Sequence, residues 1–400
     1  MTDSEYEFLE PSRPKRRGWL KAAVWVMVVV LAGTFAVGAG GYFFLSNQLS
    51  ASGIEVYSTD GESFDLPTPE DIDGPINVLL IGSDTREDQG DTNYGPVGSA
   101  LADVIIMVHI SSDRQNVVAL SIPRDLMVSV PACPNPEGGE DFPAREFVQI
   151  NSTMAKAGPA CTLLAVQELT GVTMPYLAMI DFKGVIAMSE AIGGVDVCVA
   201  EPINDDYSKL YLEAGEHTLI GDEALAFLRT RHGVGDGSDL SRISNQQVFL
   251  TSLVRKLKDE GALTNPFTMF KLGTAALSNM TLSRSLTDLG VIFGLAQQVN
   301  EVDLDKITFI KLPVYDLEGE YSGRVAAIPD RSAELFELLA SDAPLVLAEA
   351  NPGTGAVVLE DSAANTETTA ATDPDAAETA APLLPDWVQG TNAATKSCSK

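Results

Sequence analysis

The chain has 400 residues, 45% of them hydrophobic, which allows one large domain or two small ones with a sizeable core. Its net charge of −30 excludes general nucleic-acid binding, since nothing would offset repulsion from phosphates over most of the surface. Any basic site must be a local patch.

In chain order the first element is an apolar run from Trp19 to Leu45, with no charged side chain between Lys21 and Glu55. It is longer than a hydrocarbon core of ~30 Å requires, and far longer than the ~7–15-residue core of a cleaved signal peptide, although Ser50-Ala51-Ser52 offers small residues. The run predicts an uncleaved transmembrane helix over 19–45. Arg13, Lys15, Arg16, Arg17 and Lys21 precede it or open it, while Glu55, Asp60 and Glu62 follow. The positive-inside rule then predicts a cytoplasmic tail over 1–18 and a single-pass protein of the cell membrane with everything else outside.

Residues 46–74 are polar, with Gly61, Pro67, Pro69 and Gly74, and predict a stalk with one short strand at most. The folded domain is expected over 75–345. Near-continuous apolar runs at 76–82, 103–110 and 116–122 predict strands buried on both faces. A short hairpin connection over 111–115 and a long Gly/Asp/Asn-rich loop over 83–102 join them. Next come a helix at 152–169, a strand at 176–180, a helix at 182–191 and a strand at 195–200. Helices follow at 221–229, 242–259, 266–278 and 284–299, then a strand at 306–312 and a helix at 331–341. This order predicts an α/β fold, three-layer α/β/α with a mixed central sheet. Residues 346–400, rich in Ala, Thr, Asp, Glu and Pro, predict a disordered acidic tail. Four cysteines occupy the exported part with no C-x-x-C pair, which argues for disulfides over zinc. Cys133 and Cys161 flank a Pro/Gly-rich loop that they could close, although Cys198 could take either partner.

Asp84, Asp103 and Arg124 each fall at a strand end, and an up-down-up meander brings all three to one edge. Two carboxylates and a guanidinium there suggest a divalent metal beside an anionic oxygen group, as in phosphoryl chemistry. Taken singly, Asp84 reads as a turn residue and Asp103 as a strand-end cap. A second cluster runs Leu228-Arg229-Thr230-Arg231, through the glycines at 233, 235 and 237, to Asp239-Leu240-Ser241-Arg242 and Gln246. Arg229 and Arg231 share a face only where the chain is extended, so the helix is expected to end near Arg229. Asp239 is expected to cap the next helix, on which Arg242 and Gln246 share a face at i and i+4. Isolated surface arginines are usually weak ion pairs. Clustered beside glycine turns in so acidic a chain, these suit a compact polyanion. Met154, Leu163, Leu164, Val166, Leu169, Met179 and Met188 read as ordinary core, and His109 and His217 lack ligand-like spacing. The G-x-S-x-G elbow of serine hydrolases is absent, as is the phosphate-binding Gly-x-x-x-x-Gly-Lys-Ser/Thr loop.

Together these pieces resemble the LytR-CpsA-Psr family of membrane-anchored glycopolymer transferases. The likeness covers 76 to about 260 in motif order: Leu-Leu-Ile-Gly-Ser-Asp84-Thr-Arg86, Ala-Asp103-Val-Ile-Ile-Met-Val-His, Ser-Ile-Pro-Arg124-Asp125, Ile-Asn151-Ser, Asp181-Phe-Lys-Gly, Leu-Arg229-Thr-Arg231 and Asp-Leu-Ser-Arg242 with Gln246-Gln247. The resemblance implies that Asp84 and Asp103 hold Mg²⁺. It implies that Arg86, Arg124, Arg229, Arg231 and Arg242 grip the pyrophosphate of a polyprenyl-linked glycan, with Gln246 in support. Asp125 either accepts a proton from the acceptor hydroxyl or orients Arg124. An apolar tunnel between sheet and helices would hold the prenyl tail. The chain departs from the family at Leu101-Ala102 and at Asn245, where members usually carry Arg.

The resemblance implies an Mg²⁺-dependent phosphotransferase, with pyrophosphatase as a side activity, that moves a glycopolymer phosphate from a polyprenyl-pyrophosphate donor to peptidoglycan. The rival expectation is a non-catalytic envelope sensor or scaffold that binds polyprenyl phosphates.

Overall fold

The computed structural model describes residues 53–62, 64, 74–84, 100–259, 261, 266–347, 349–359 and 383–400. The 19–45 run and Arg86 lie outside them; among the described residues no helix is long and apolar enough to cross a membrane.

The central sheet has seven strands. In chain order they are β1 (Ile76–Ser83), β2 (Ala102–Ile110), β3 (Val117–Ile122), β4 (Tyr176–Ile180), then, after two strands of a second sheet, β7 (Met280–Leu282), β8 (Ile307–Lys311) and β10 (Gly390–Asn392). Their spatial order is β7-β4-β1-β2-β3-β8-β10. The meander β1-β2-β3 is antiparallel, while β4 joins β1 and β8 joins β3 in parallel, so the sheet is mixed as expected. The second sheet orders β6 (Gly215–Leu219), β5 (Val195–Val199), β11 (Ser397–Ser399) and β9 (Ala356–Val358).

Alternation along the meander explains its unbroken apolar runs. Leu79, Ile81, Ile105, Met107, Val118 and Leu120 enter one core with helix α1 (Ser152–Thr170) and α7 (Pro329–Ala340). Val78, Ile106, Ile110, Val117 and Ala119 enter another with α4 (Asp239–Asp259) and α6 (Leu289–Glu301). Both faces are thus covered, which is why neither shows a polar period. Met154, Leu163, Leu164 and Val166 are core, and Leu169 and Met179 pack against it. The second sheet has its own core with α3 (Asp222–Arg229), including Phe227 and Phe249. The remaining helices are α2 (Phe182–Ala191) and α5 (Pro266–Asn279).

Two boundaries differ from expectation. The stalk does not extend to residue 74: Ile54 pairs with Ser283, its N–H reaching Leu282 O at 2.9 Å, and Val56 is buried in the core. Nor is the tail a disordered extension where it is described. β10 closes one edge of the central sheet, β9 and β11 build the second, and Cys398 is disulfide-bonded to Cys198. A composition rule weighs only apolar burial, whereas these strands are ordered by backbone pairing and a covalent link. The other disulfide, Cys133–Cys161, is the pairing expected for the 133–161 loop.

Candidate active site

The meander brings Asp84, Asp103 and Arg124 to one edge. Asp84 follows β1, and its Oδ1 accepts from Leu101 N at 2.8 Å, tying the two ends of the 83–102 loop. Asp103 lies at the start of β2, and Arg124 follows β3 after Pro123. Arg124 is ion-paired with Asp103, and its Nε lies 3.4 Å from Asp239 and 3.7 Å from Asp125.

The second cluster arrives from α3 and α4. α3 ends at Arg229 and Thr230 is extended, as expected, yet the two guanidiniums do not converge as that spacing implied. Arg231 Nη2 reaches Asp239 Oδ1 at 3.5 Å, whereas the Arg229 guanidinium lies 4.6 Å from the centre of the Phe182 ring. Asp205 holds the intervening backbone. It accepts from Thr230 Oγ1 at 2.7 Å, Arg231 N at 3.1 Å and His232 N at 3.3 Å. Burial would raise the Asp205 carboxyl, but these and neighbouring hydrogen bonds outweigh it and hold the group below its usual range.

Asp239 is not the cap of α4. Ser238 is, its Oγ accepting from Ser241 N at 3.2 Å and its carbonyl from Arg242 N at 3.2 Å. Placed one residue inside the helix, Asp239 turns its carboxylate to the arginines: Arg242 Nη2 at 2.5 Å, Arg124 at 3.4 Å and Arg231 at 3.5 Å. Arg242 also donates to Asp103 O at 3.0 Å and is only 4% exposed. Burial draws Arg242 below its usual range, while Arg124, opposed by burial too, is held above its own by Asp103 and Asp239. Arg124 Nε, Arg242 Nε and Asp239 Oδ2 are buried without a hydrogen bond among the described residues.

Gln246, also buried, donates to Leu228 O at 3.0 Å, so it acts on the last turn of α3 and hence on Arg229. Asp125 Oδ1 accepts from Gln149 Nε2 at 2.6 Å and faces Arg324 at 3.4 Å. Burial, with Asp239 in support, lifts the Asp125 carboxyl above its usual range against the pull of Arg124 and Arg324. Arg324, Gln149 and Asp205 are site residues the motifs did not single out. Each acts across a long separation, and no local spacing marks it.

The LytR_cpsA_psr family model matches residues 42–332. Among curated proteins, the chain is 29% identical over 290 residues to "Cell wall biosynthesis protein LcpA" of Corynebacterium glutamicum, covering 66% of this chain and 55% of that protein. It is 25% identical to the "Polyisoprenyl-teichoic acid--peptidoglycan teichoic acid transferase TagT" of Bacillus subtilis, covering 76% and 88%. The chain spans about half the length of the two corynebacterial relatives it matches, 55% of LcpA and 48% of "Probable cell wall biosynthesis protein LcpB". Among solved structures, the fold is similar to that of the LytR-Csp2A-Psr enzyme from Actinomyces oris, with 25% identity, a TM-score of 0.50, and coverage of 67% and 93%. For B. subtilis TagV the identity is 21% and the TM-score 0.52, with coverage of 67% and 97%. A family match over most of the chain, spanning the segments that build the arginine cluster, places this protein in the LytR_cpsA_psr family.

Proposed function

We propose that the protein is a cell-envelope phosphotransferase that moves a glycopolymer phosphate from a polyprenyl-pyrophosphate donor to a peptidoglycan hydroxyl. One observation carries this reading. Among the described residues, four guanidinium groups, Arg124, Arg231, Arg242 and Arg324, converge from separate segments on three shared carboxylates, Asp103, Asp125 and Asp239. In a chain of net charge −30, such a convergence of guanidiniums is suited to a compact polyanion. The buried Nε atoms of Arg124 and Arg242 are donors that phosphate oxygens can satisfy.

The acceptor hydroxyl attacks the glycan-side phosphorus, a P–O bond forms, and the bond to the bridging oxygen breaks to release prenyl phosphate. Asp125, whose burial favours its protonated form, takes the hydroxyl proton. The arginines stabilise charge developing on the non-bridging and leaving oxygens, the largest contribution a protein makes to such a reaction. Asp84 and Asp103 fit Mg²⁺: hard carboxylates on neighbouring strand ends, which suits an ion that takes its other ligands from phosphates and water. When bound, the ion would neutralise pyrophosphate charge. Anchoring by the 19–45 run would keep the site beside its lipid donor.

The test is mass-spectrometric detection of prenyl phosphate released from a synthetic lipid-linked glycan in the presence of peptidoglycan, with and without Mg²⁺. Arg124→Lys keeps the charge but not the planar fork. It should fold and lose about 10²–10³-fold in rate. Undiminished transfer by this variant would refute the assigned site. Donor binding without release by the native chain would favour the scaffold.

A further inference from the structure

Immediately after Asp125 the chain forms a hairpin of Met127–Val130 with Arg145–Gln149. Its register runs Met127↔Gln149 and Val128↔Val148, then jumps to Val130↔Arg145, so Glu146 and Phe147 together oppose Ser129. The bulged residue Phe147 has φ of 52°, in the left-handed region that a bulky aromatic rarely enters. The ring is turned outward, 44% exposed. A bulge that aims a strained aromatic at solvent costs stability and gains no core burial, the signature of a position held for function.

Phe147 does not stand alone. Its ring meets Tyr321 edge-to-face at 4.9 Å and 89°, and Tyr321 is 39% exposed. Tyr321 O accepts from Arg324 N at 2.9 Å, and Arg324 in turn faces Asp125. Two residues beyond Phe147, Gln149 donates to the same Asp125 oxygen. Both supports are braced. The Cys133–Cys161 disulfide ties the hairpin loop to α1, and Val325 N donates to Asp125 O at 3.1 Å. Two open aromatic faces are therefore rigidly fixed beside a carboxylate, a guanidinium and an amide.

That combination matches a pyranose ring. Its axial C–H face packs on an aromatic ring, while its equatorial hydroxyls pair with planar amide, guanidinium and carboxylate groups. We propose that Phe147 and Tyr321, with Arg324 and Gln149, form the subsite that seats the sugar ring of the acceptor glycan strand, with its hydroxyl toward Asp125. The word acceptor rests on the transferase reading above; glycan binding at this surface does not.

The test uses the full chain and a soluble peptidoglycan tetrasaccharide without donor, with affinity measured by titration calorimetry. Phe147→Gly removes the ring at a φ that glycine accepts, so its melting temperature should not fall. Phe147→Gly and Tyr321→Ala should each weaken tetrasaccharide binding about tenfold, equal to about 1.4 kcal/mol. Phe147→Tyr should restore it, and protection of the chain by a prenyl-pyrophosphate donor should not change. In the transfer assay the two variants should raise KM for the acceptor more than they lower kcat. Native affinity in both variants, or no tetrasaccharide binding by the native chain, overturns the proposal. If the tetrasaccharide binds through these rings but no prenyl phosphate is ever released, the subsite stands and the phosphotransfer reading fails.

Discussion

Asp239→Asn is the sharpest single perturbation of the arginine cluster. Its carboxylate faces Arg242 at 2.5 Å, Arg124 at 3.4 Å and Arg231 at 3.5 Å. Removing one member of a buried ion pair costs about 3–5 kcal/mol because the partner is left uncompensated. Arg242 retains Asp103 O at 3.0 Å and the new amide oxygen can still accept one bond, so the loss belongs at the lower end, about 3 kcal/mol. With an unfolding entropy of about 2 cal/mol/K per residue, a domain of this size should melt about 4 °C lower. The variant should also recover stability on adding inorganic pyrophosphate, more than the native chain gains, because the anion supplies the charge Asp239 gave. Differential scanning fluorimetry against pyrophosphate concentration measures both. An unchanged melting temperature, or equal stabilisation of the two proteins, would refute the account of Asp239 as the electrostatic centre of the site.

Lys311, at the end of β8, is 4% exposed and donates to Ser244 Oγ at 2.5 Å and Pro352 O at 2.8 Å; burial brings its ammonium down to about 8. An unfolded lysine titrates near 10.4, so between about pH 8 and 10.4 the unfolded chain binds more protons and stability rises with pH, by about 3 kcal/mol. Lys311→Met should lack this rise, which chemical denaturation from pH 7 to 10.5 compares directly. Replacing both cysteines of the 198–398 bridge, which closes a loop with a sequence separation of 200, should cost about 5 kcal/mol on chain entropy, against about 3.5 kcal/mol for the 133–161 bridge with a separation of 28. Urea titration of the two double variants decides the order. Truncation after Ala350 removes β9, β10 and β11 and should abolish cooperative unfolding, as near-UV circular dichroism would show.

The legible part of this fold was what local pattern controls. Strands β1, β2 and β3 are apolar over most of their length because cores cover both faces, and their ends carry Asp103 and Arg124 to one edge. The break after Arg229 followed from the two-residue spacing. Asp caps helices well, so the local sequence points to Asp239, whereas the structure has Ser238 in that place. Arg324 and Asp125 pair across a separation of 199 residues, and Asp205 meets Thr230 across 25; such contacts leave no periodicity to detect. The tail escaped for a related reason. Ser397–Ser399 and Gly390–Asn392 are polar strands, ordered by partners that the segment itself does not encode.

The tail also accounts for one departure from the family pattern. Asn245 stands where members usually carry Arg, and it is fully buried. Its Nδ2 donates to Phe227 O at 2.6 Å, and its Oδ1 accepts from Ser399 Oγ at 2.5 Å. The last residues of the chain therefore occupy the space a longer side chain would need, next to Cys398 and its bond to Cys198. A guanidinium introduced there would be buried with the Phe227 carbonyl as its one retained acceptor, and would displace β11 from β5. At the other departure, Leu101-Ala102, Ala102 is likewise fully buried while Leu101 is half-buried. Position 245 could not present a cation to a phosphate in this chain. The absence of Arg at position 245 thus gives no support to a non-catalytic scaffold. The positive charge that does face Asp125 comes from Arg124 and from Arg324, the latter on a turn pinned to the backbone of Asp125 through Val325.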